Sequence, residues 1–97
     1  MGYQIVWSPE AVEDVDVIAA SIARDSVSYA AAVVQKILTV TRDLSHSPGA
    51  GDPAPEFGQD EIRSQFAYSY RIIYQIQGEI VTILAIVHGK RLLTQDF

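Results

Sequence analysis

The chain has 97 residues, no cysteine and a net charge of −5, with 48% hydrophobic and 20% charged residues. This length and composition predict a single small globular domain over residues 1–97 and exclude a disordered tail, and the lack of cysteine excludes disulfides and thiolate zinc sites. Because no apolar run is long enough for a membrane span or a secretory leader, we expect a cytoplasmic protein. We also predict that the chain has no cofactor and no metal.

Charge is distributed unevenly along the chain. Residues 1–61 contain ten acidic and three basic side chains, a net charge of −7, whereas residues 62–97 contain four basic and two acidic side chains, a net charge of +2. The overall negative charge argues against non-specific binding to nucleic acid. The cations are gathered on the C-terminal third of the chain.

The first two predicted elements are a strand over Tyr3–Ser8 and a helix over Pro9–Arg24. Ser8 followed by Pro9 is typical of a helix N-cap with proline at the first helical position. The acidic residues of Glu10–Asp16 are expected to form a solvated helix face that complements the helix dipole. The apolar stripe that indicates this helix comprises Ala11, Val15, Ile18 and Ile22.

A second helix is predicted from about Val27 to about Ser45, with Ser26 or Ser28 as its cap. The short connection predicts that the two helices are antiparallel neighbours. The segment Ser47–Gly58 contains three prolines and three glycines, so it is predicted to be a surface loop.

The remainder of the chain is predicted to form an antiparallel meander. Its strands are expected at Glu61–Tyr68, Tyr70–Ile76 and Ile80–His88, with a tight turn at Gly78–Glu79. The last strand is apolar at nearly every position, which predicts a central strand covered on both faces. The predicted fold class is α+β, with an N-terminal strand and an antiparallel helical hairpin packed on an antiparallel sheet.

A two-residue turn at Gly78–Glu79 determines which side chains share a face of the sheet. In that register Arg71 lies opposite Ile86, and Arg71 and His88 are diagonal neighbours. Because the other face of this hairpin is almost wholly apolar, we expect Arg71 and His88 on the face turned away from the helices.

Arg63 joins this pair only in one of two possible registers of the preceding hairpin. A three-residue loop, with Phe66 opposite Tyr70, places Arg63 on the face of Arg71 and His88, whereas a two-residue loop places it on the other face. We favour the three-residue loop, because an unpaired arginine buried under the helices would cost several kcal/mol.

Four short blocks of the sequence, in this order and spacing, resemble the RelE/ParE superfamily of toxins from bacterial type II toxin–antitoxin systems. The blocks are W-S-P-E-A at residues 7–11, P-E-F at 55–57, Y-R-I-I-Y at 70–74 and V-H-G-K-R at 87–91. The resemblance covers nearly the whole chain. It implies the fold described above, growth inhibition, and neutralisation by a cognate antitoxin in a toxin–antitoxin hetero-oligomer.

The resemblance leaves two targets open. RelE-like members cut mRNA on the ribosome, whereas ParE-like members are associated with inhibition of DNA gyrase and with plasmid stabilisation. Cleavage by the 2′-hydroxyl of RNA needs an acid, a base and cations around the phosphorane. The candidates for those roles are His88 as acid or base, Glu56 as an additional base, and Arg63, Arg71 and Arg91 as charge stabilisers.

Two features favour a ParE-like toxin over a RelE-like toxin, and therefore an inhibitor over an enzyme. No tyrosine and no further cation follow Lys90 and Arg91, although related nucleases commonly use such residues there. A chain of net charge −5 would also approach the ribosome against electrostatic repulsion. We therefore expect binding of an antitoxin, and of DNA gyrase, with direct nucleic-acid contact only if the chain is RelE-like.

The predicted surface for target or antitoxin recognition consists of Arg63, Arg71, His88, Lys90 and Arg91. Each of these residues also has a structural interpretation. His88 is compatible with a hydrogen-bonded strand end, Arg71 with pairing to Glu56 or Glu61, and Lys90 and Arg91 with a solvated strand end. Trp7 and Tyr74 are expected to be packing residues, and a toxin fold that only binds its antitoxin, without activity, also fits the sequence.

Overall fold

The residues that the structure describes form two helices and five strands, and the α+β prediction is confirmed. The structure is a computed structural model that describes residues 2–54, 58 and 60–89. Its elements are β1 (Gln4–Trp7), α1 (Pro9–Ala23), α2 (Val27–Asp43), β2 (Asp52–Pro53), β3 (Ile62–Ala67), β4 (Tyr70–Gln77) and β5 (Ile80–His88). The segment predicted to be a loop also contains a 3-10 turn at Pro48–Ala50 and the short strand β2.

All five strands belong to one mixed sheet in the order β1-β5-β4-β3-β2. β1 runs parallel to β5, with Gln4 opposite Ile80 and Trp7 opposite Ile83, and the other neighbours are antiparallel. A parallel pair of strands requires a long connection, and here it runs from β1 through both helices and strands β2, β3 and β4 before it reaches β5. β5 therefore lies inside the sheet, between β1 and β4, in agreement with its apolar sequence.

The helices cover one face of the sheet and form the main core with it. Its buried members are Ala11, Val33, Ile37, Val40, Leu44, Ala67, Ile72, Tyr74, Val81, Ile83 and Ile86. A smaller apolar cluster lies on the other face and comprises Ala54, Ile62, Ile73, Ala85 and Val87. Both faces of β5 thus carry buried side chains, as the continuous apolar run predicted.

A β-bulge interrupts the pairing of β4 with β5. The predicted register holds from Gln77 to Tyr74, which lies opposite Ile83, but Ile73 lies opposite Ala85. Leu84 is therefore an extra residue in β5, and every later side chain of β5 points to the face opposite to the predicted one.

The N-terminal turns of α1 supply partners to β5 at the bulge. The Ser8 hydroxyl accepts a hydrogen bond from the N–H of Ala11 at 3.1 Å, which confirms the predicted N-cap. The same hydroxyl donates to the carbonyl of Leu84, the extra residue, at 3.2 Å. One side chain therefore caps α1 and satisfies the backbone of the bulge.

Asp14 makes a second contact of this kind. Its carboxylate oxygen Oδ2 accepts a hydrogen bond from the N–H of Ile86 at 3.0 Å. The expectation that all the acidic residues of α1 are merely solvated is wrong for Asp14. Pairing with β1 ends at Ile83, and a strand backbone beyond that point needs other partners.

Within the described residues, no helix is long and apolar enough to cross a membrane.

We expect Asp14→Ala to destabilise the chain by about 1–3 kcal/mol, because the substitution leaves the partly buried N–H of Ile86 without its acceptor. Asp16→Ala removes the same charge from the same helix at an exposed position and is expected to cost less than about 0.5 kcal/mol. Urea unfolding of both variants measures the difference. Equal losses would mean that the contact of Asp14 with β5 contributes nothing to stability.

Candidate functional site

Arg71 and His88 point to opposite faces of the sheet. Tyr70 lies opposite His88, and Arg71 lies opposite Val87. Side chains directly opposite each other share a face, so His88 lies on the helix side, where its ring meets that of Tyr70 edge-on with centroids 5.7 Å apart. The prediction that Arg71 and His88 share a face is wrong, because the bulge at Leu84 reverses the end of β5.

Arg71 lies on the face turned away from the helices, as predicted, but it is buried. Only 5% of its surface is exposed. Its cross-strand neighbours are Phe66 on β3 and Val87 on β5. An arginine side chain buried to this extent packs along its whole length, so a substitution of Arg71 would disturb packing as well as charge.

Arg63 lies on the helix side of the sheet, so the prediction of a three-residue loop is wrong. Ala67 lies opposite Tyr70 and Arg63 opposite Tyr74, which leaves a two-residue turn at Tyr68 and Ser69. Tyr68 adopts a φ of 54°, a conformation that tyrosine rarely takes. The turn contains no glycine or asparagine, so the usual sequence signal of a two-residue turn is missing.

Arg63 is not left unpaired on this side of the sheet, which is why the predicted cost of burying it does not arise. Its Nη1 donates instead to the carbonyl of Gly51 at 2.7 Å, and the side chain is only half-buried. The loop that contains the 3-10 turn Pro48–Ala50 and Gly51 contacts this end of the sheet. A hydrogen bond to a charged donor offsets the cost of desolvation.

Tyr74 anchors the same loop to the sheet. Its side chain is fully buried, and its hydroxyl donates to the carbonyl of Pro48 at 2.5 Å. A side chain at Gly51 would meet the Tyr74 hydroxyl and the carbonyl of Ser64, so only glycine allows this close approach. Burial raises the pKa of Tyr74, while a hydrogen bond with Gly51 and the charge of Arg63 act in the opposite direction.

Three predicted site residues, Glu56, Lys90 and Arg91, lie outside the described residues. The structure therefore places Arg63, Arg71 and His88 and does not bring them together. His88 is exposed at the end of β5, Arg71 is buried on the opposite face, and Arg63 is held by the loop at Gly51.

Among residues 2–54, 58 and 60–89, no group of three or more His, Cys, Asp or Glu side chains is placed to hold a metal ion.

A broad apolar groove lies between the two helices. It has a volume of about 600 Å³. Its lining residues are Ala19, Ala20, Ala23, Val27, Ala30, Ala31, Val34, Gln35 and Leu38. Five of these residues are alanines, whose short side chains keep this hairpin groove shallow and free of charge. The sequence signal for it was the Ala30–Ala32 run together with Ala19, Ala20 and Ala23.

The family model described as "ParE toxin of type II toxin-antitoxin system, parDE" matches residues 5–93 of the chain. The chain belongs to this toxin family. No curated protein sequence matches it. The match covers both helices and all five strands, apart from Gln4, the first residue of β1.

Solved structures of related toxins share the fold of this ParE-family chain. A chain of the chromosomal ParDE system of P. aeruginosa is 19% identical, with a TM-score of 0.75 and coverage of 91% of this chain and 97% of that one. A chain of the RelBE2 complex of Mycobacterium tuberculosis is 25% identical, with a TM-score of 0.63 and coverage of 91% and 99%. A mutant of the E. coli toxin RelE in the free state is 14% identical, with a TM-score of 0.66 and coverage of 93% and 86%. Both branches of the superfamily therefore occur among the structural neighbours.

The buried hydroxyl of Tyr74 predicts a loss of stability at alkaline pH in this ParE-family chain. Burial raises its pKa in the folded state above the value of 10.0 for an exposed tyrosine, so the unfolded state loses its proton first. The contribution of Tyr74 to stability is complete below pH 10.0 and decreases as the pH rises toward the folded-state pKa.

The test of this linkage compares the wild-type chain with Tyr74→Phe. The variant loses the hydrogen bond to Pro48, which costs about 1–3 kcal/mol at neutral pH. We expect the difference in unfolding free energy between the two proteins to narrow above pH 10.0, measured by urea unfolding. A difference that stays constant with pH would contradict the raised pKa.

Proposed function

We propose that this chain is a toxin that inhibits DNA gyrase and that an antitoxin encoded beside it holds it inactive in the resting cell. Membership of the ParE toxin family supports the gyrase branch. The net charge of −5 also favours a protein target over the ribosome.

The main support for inhibition of gyrase over cleavage of mRNA is that the sheet separates Arg71 from His88. A ribonuclease must place its proton-transfer group and its cationic stabiliser around one phosphate. The two side chains point to opposite faces of the sheet, and Arg71 is buried. They are therefore unable to act on the same phosphate, which favours inhibition by binding over cleavage of mRNA.

We expect His88→Ala to weaken inhibition of gyrase about tenfold, because His88 is exposed, unlike Arg63 and Arg71, the other predicted recognition residues in the described part of the chain. The measurement is DNA supercoiling by purified gyrase in the presence of increasing concentrations of the chain. His46→Ala is the matched control, since His46 is exposed in the turn that follows α2 and carries the same side chain. Equal inhibition by both variants, at unchanged thermal midpoints, would remove His88 from the site.

Expression in a bacterial host separates the function from its alternatives. Growth arrest with stalled replication and intact mRNA supports gyrase inhibition. Growth arrest with ribosome-dependent cuts in mRNA supports the RelE-like nuclease instead. Normal growth in the presence of folded chain supports an inactive module that only binds its antitoxin.

We further propose that the hairpin groove receives an apolar helix of the antitoxin. A groove of this kind accepts an amphipathic helix through side chains spaced three and four residues apart. The chains of the RelBE2 toxin–antitoxin complex and of the ParDE system share this fold, which supports an antitoxin as the partner here.

Ala31→Arg is expected to abolish neutralisation, because it places a charged side chain in the groove at a position that is exposed in the free chain. Ala32→Arg introduces the same side chain at the next exposed position, which does not line the groove. Co-expression of each variant with the protein encoded by the adjacent reading frame should rescue growth only for Ala32→Arg. Rescue of both variants would exclude the groove as the antitoxin site.

A further inference from the structure

Aromatic side chains gather at the end of the sheet that contains the turn between β3 and β4. Phe66 is 60% exposed, Tyr68 is 54% exposed, and Tyr29, in the first turn of α2, is 48% exposed. Tyr70 and His88 lie at the same end, where their rings meet edge-on. These five residues form what we call the aromatic end. An exposed apolar patch of this kind is often an interaction site.

Contacts between the elements make the aromatic end one continuous surface. The ring centroids of Tyr29 and Tyr68 are 6.3 Å apart, which joins the start of α2 to the turn. The N–H of Gly89 donates to the carbonyl of Ser69 at 2.6 Å, which joins the turn to the residue after β5. A side chain at Gly89 would meet the ring of Phe66, so this ring lies beside the same backbone. The surface therefore extends from α2 across the turn to the end of β5.

Tyr68 is an unfavourable residue for the backbone that it occupies. Its φ is 54°, where glycine or asparagine would fit with less steric cost. Its ring is more exposed than buried, so it adds little to the core. Unfavourable backbone conformations cluster at functional sites. The stability of the free chain does not account for a tyrosine at this turn, whereas a contact of its ring with a partner would.

The pairing of Tyr68 with Tyr29 prepares both rings for a partner. Their separation of 6.3 Å lies within the range of attractive aromatic pairs. Each ring therefore restricts the rotation of the other, although about half of each is exposed. Side chains that are ordered before binding lose less conformational entropy when the partner arrives. Tyrosine is also enriched among the residues that contribute most to binding, so this pair has the features of a binding hot spot.

The size and charge of the aromatic end argue against a second copy of the chain as its partner. Phe66, Tyr68 and Tyr29 together expose roughly 300 Å² of surface, taking about 200 Å² for a whole aromatic side chain. A stable interface needs about 800 Å² on each partner. Two copies would also each carry a net charge of −5, which opposes their association.

The aromatic end is separate from the proposed antitoxin site and continuous with the proposed gyrase contact. None of its five residues lines the hairpin groove. It includes His88, the residue for which we expect an effect on gyrase inhibition, and the ring of His88 lies 5.7 Å from that of Tyr70 between centroids. The partner of this surface is therefore the target of the toxin.

We infer that the aromatic end is the surface through which the chain binds gyrase, with Tyr68 as its anchor. The ring of Tyr68 enters an apolar pocket of the gyrase protein, and Tyr29 and His88 pack beside it. The contact is with protein and not with DNA, because phosphates repel a chain of net charge −5. The inference rests on the proposed function in taking gyrase as the target, and it adds the residues that recognise it.

Tyr68→Gly tests the anchor, because it removes the ring and relieves the backbone conformation at the same time. We expect the thermal midpoint to change little, since the relief of the backbone offsets the lost contact with Tyr29. Inhibition of DNA supercoiling by purified gyrase should weaken about tenfold. A residue that only stabilised the fold would not give this combination. Inhibition equal to that of the wild-type chain would overturn the inference.

Tyr29→Ala tests a second position of the surface, with Tyr3→Ala as its matched control. The bond from Tyr29 to the Ser26 cap comes from the backbone N–H and survives the substitution. Tyr3 is also exposed but lies at the other end of the sheet, where the adjoining Gln4 donates to Glu79 in the turn before β5. Inhibition should weaken about fivefold for Tyr29→Ala and stay unchanged for Tyr3→Ala. Equal losses in the two variants would contradict a specific surface.

Antitoxin binding shows whether the aromatic end is specific for gyrase. Tyr68→Gly and Tyr29→Ala should bind the protein encoded by the adjacent reading frame with the affinity of the wild-type chain, measured by isothermal titration calorimetry, since neither residue lines the hairpin groove. A parallel loss of antitoxin affinity and gyrase inhibition would assign the surface to the antitoxin and overturn the inference.

The remaining outcomes separate this inference from the proposed function. If the wild-type chain inhibits gyrase and both variants inhibit it equally well, the aromatic end is excluded and gyrase remains the target. If the wild-type chain does not inhibit gyrase, both proposals fall. A dimer of the free chain that Tyr68→Gly dissociates, or binding of a single-stranded oligonucleotide that this variant abolishes, would assign the surface to another partner and overturn the inference.

Discussion

The second half of β5 lies beyond the end of β1, and the N-terminal turns of α1 provide the hydrogen-bonding groups that a neighbouring strand would otherwise supply. The Ser8 hydroxyl donates to the carbonyl of Leu84, and the Asp14 carboxylate accepts from the N–H of Ile86. Buried backbone groups need such partners. These contacts accommodate an extra residue at Leu84, and that residue determines which face each later side chain of β5 occupies. Ile86 lies in the core under the helices, and Val87 lies in the cluster on the other face.

Because the end of β5 is reversed in this way, the predicted site residues lie on separate surfaces of the molecule. His88 lies exposed on the helix side next to Tyr70, and Arg71 is buried on the opposite face. Arg63 takes part in holding the loop at Gly51 and is not part of a cluster with either of them. A chain arranged in this way is better suited to recognising other proteins through extended surfaces than to gathering acid, base and cation around one phosphate. The hairpin groove that we propose as the antitoxin site is a surface of this kind.

Local patterns predicted most of the fold, because their physical causes are local. Ser8 and Pro9 begin the first helix, Gly78 with φ 58° forms the predicted turn, and the apolar run of β5 lies inside the sheet. The turn at Tyr68 gave no such signal, since a tyrosine rarely adopts a positive φ and the strands on either side enforce it here. The contact between Asp14 and Ile86 joins residues 72 positions apart, and in the sequence Asp14 resembles any other acid near a helix N-terminus.

The amino-acid sequence by itself determined the fold class, the order of the two helices and the four longer strands, and the resemblance to a toxin family. These depend on periodicity, caps, turns and short blocks that each occupy a few neighbouring residues. Only the tertiary structure decided the parallel pairing of β1 with β5, the bulge at Leu84 and the face on which each cation lies. A single extra residue in a strand exchanges its two faces. The extra residue is accommodated because hydrogen bonds from Ser8 and α1 satisfy the backbone of β5 beside it. These bonds form only when the whole chain has folded.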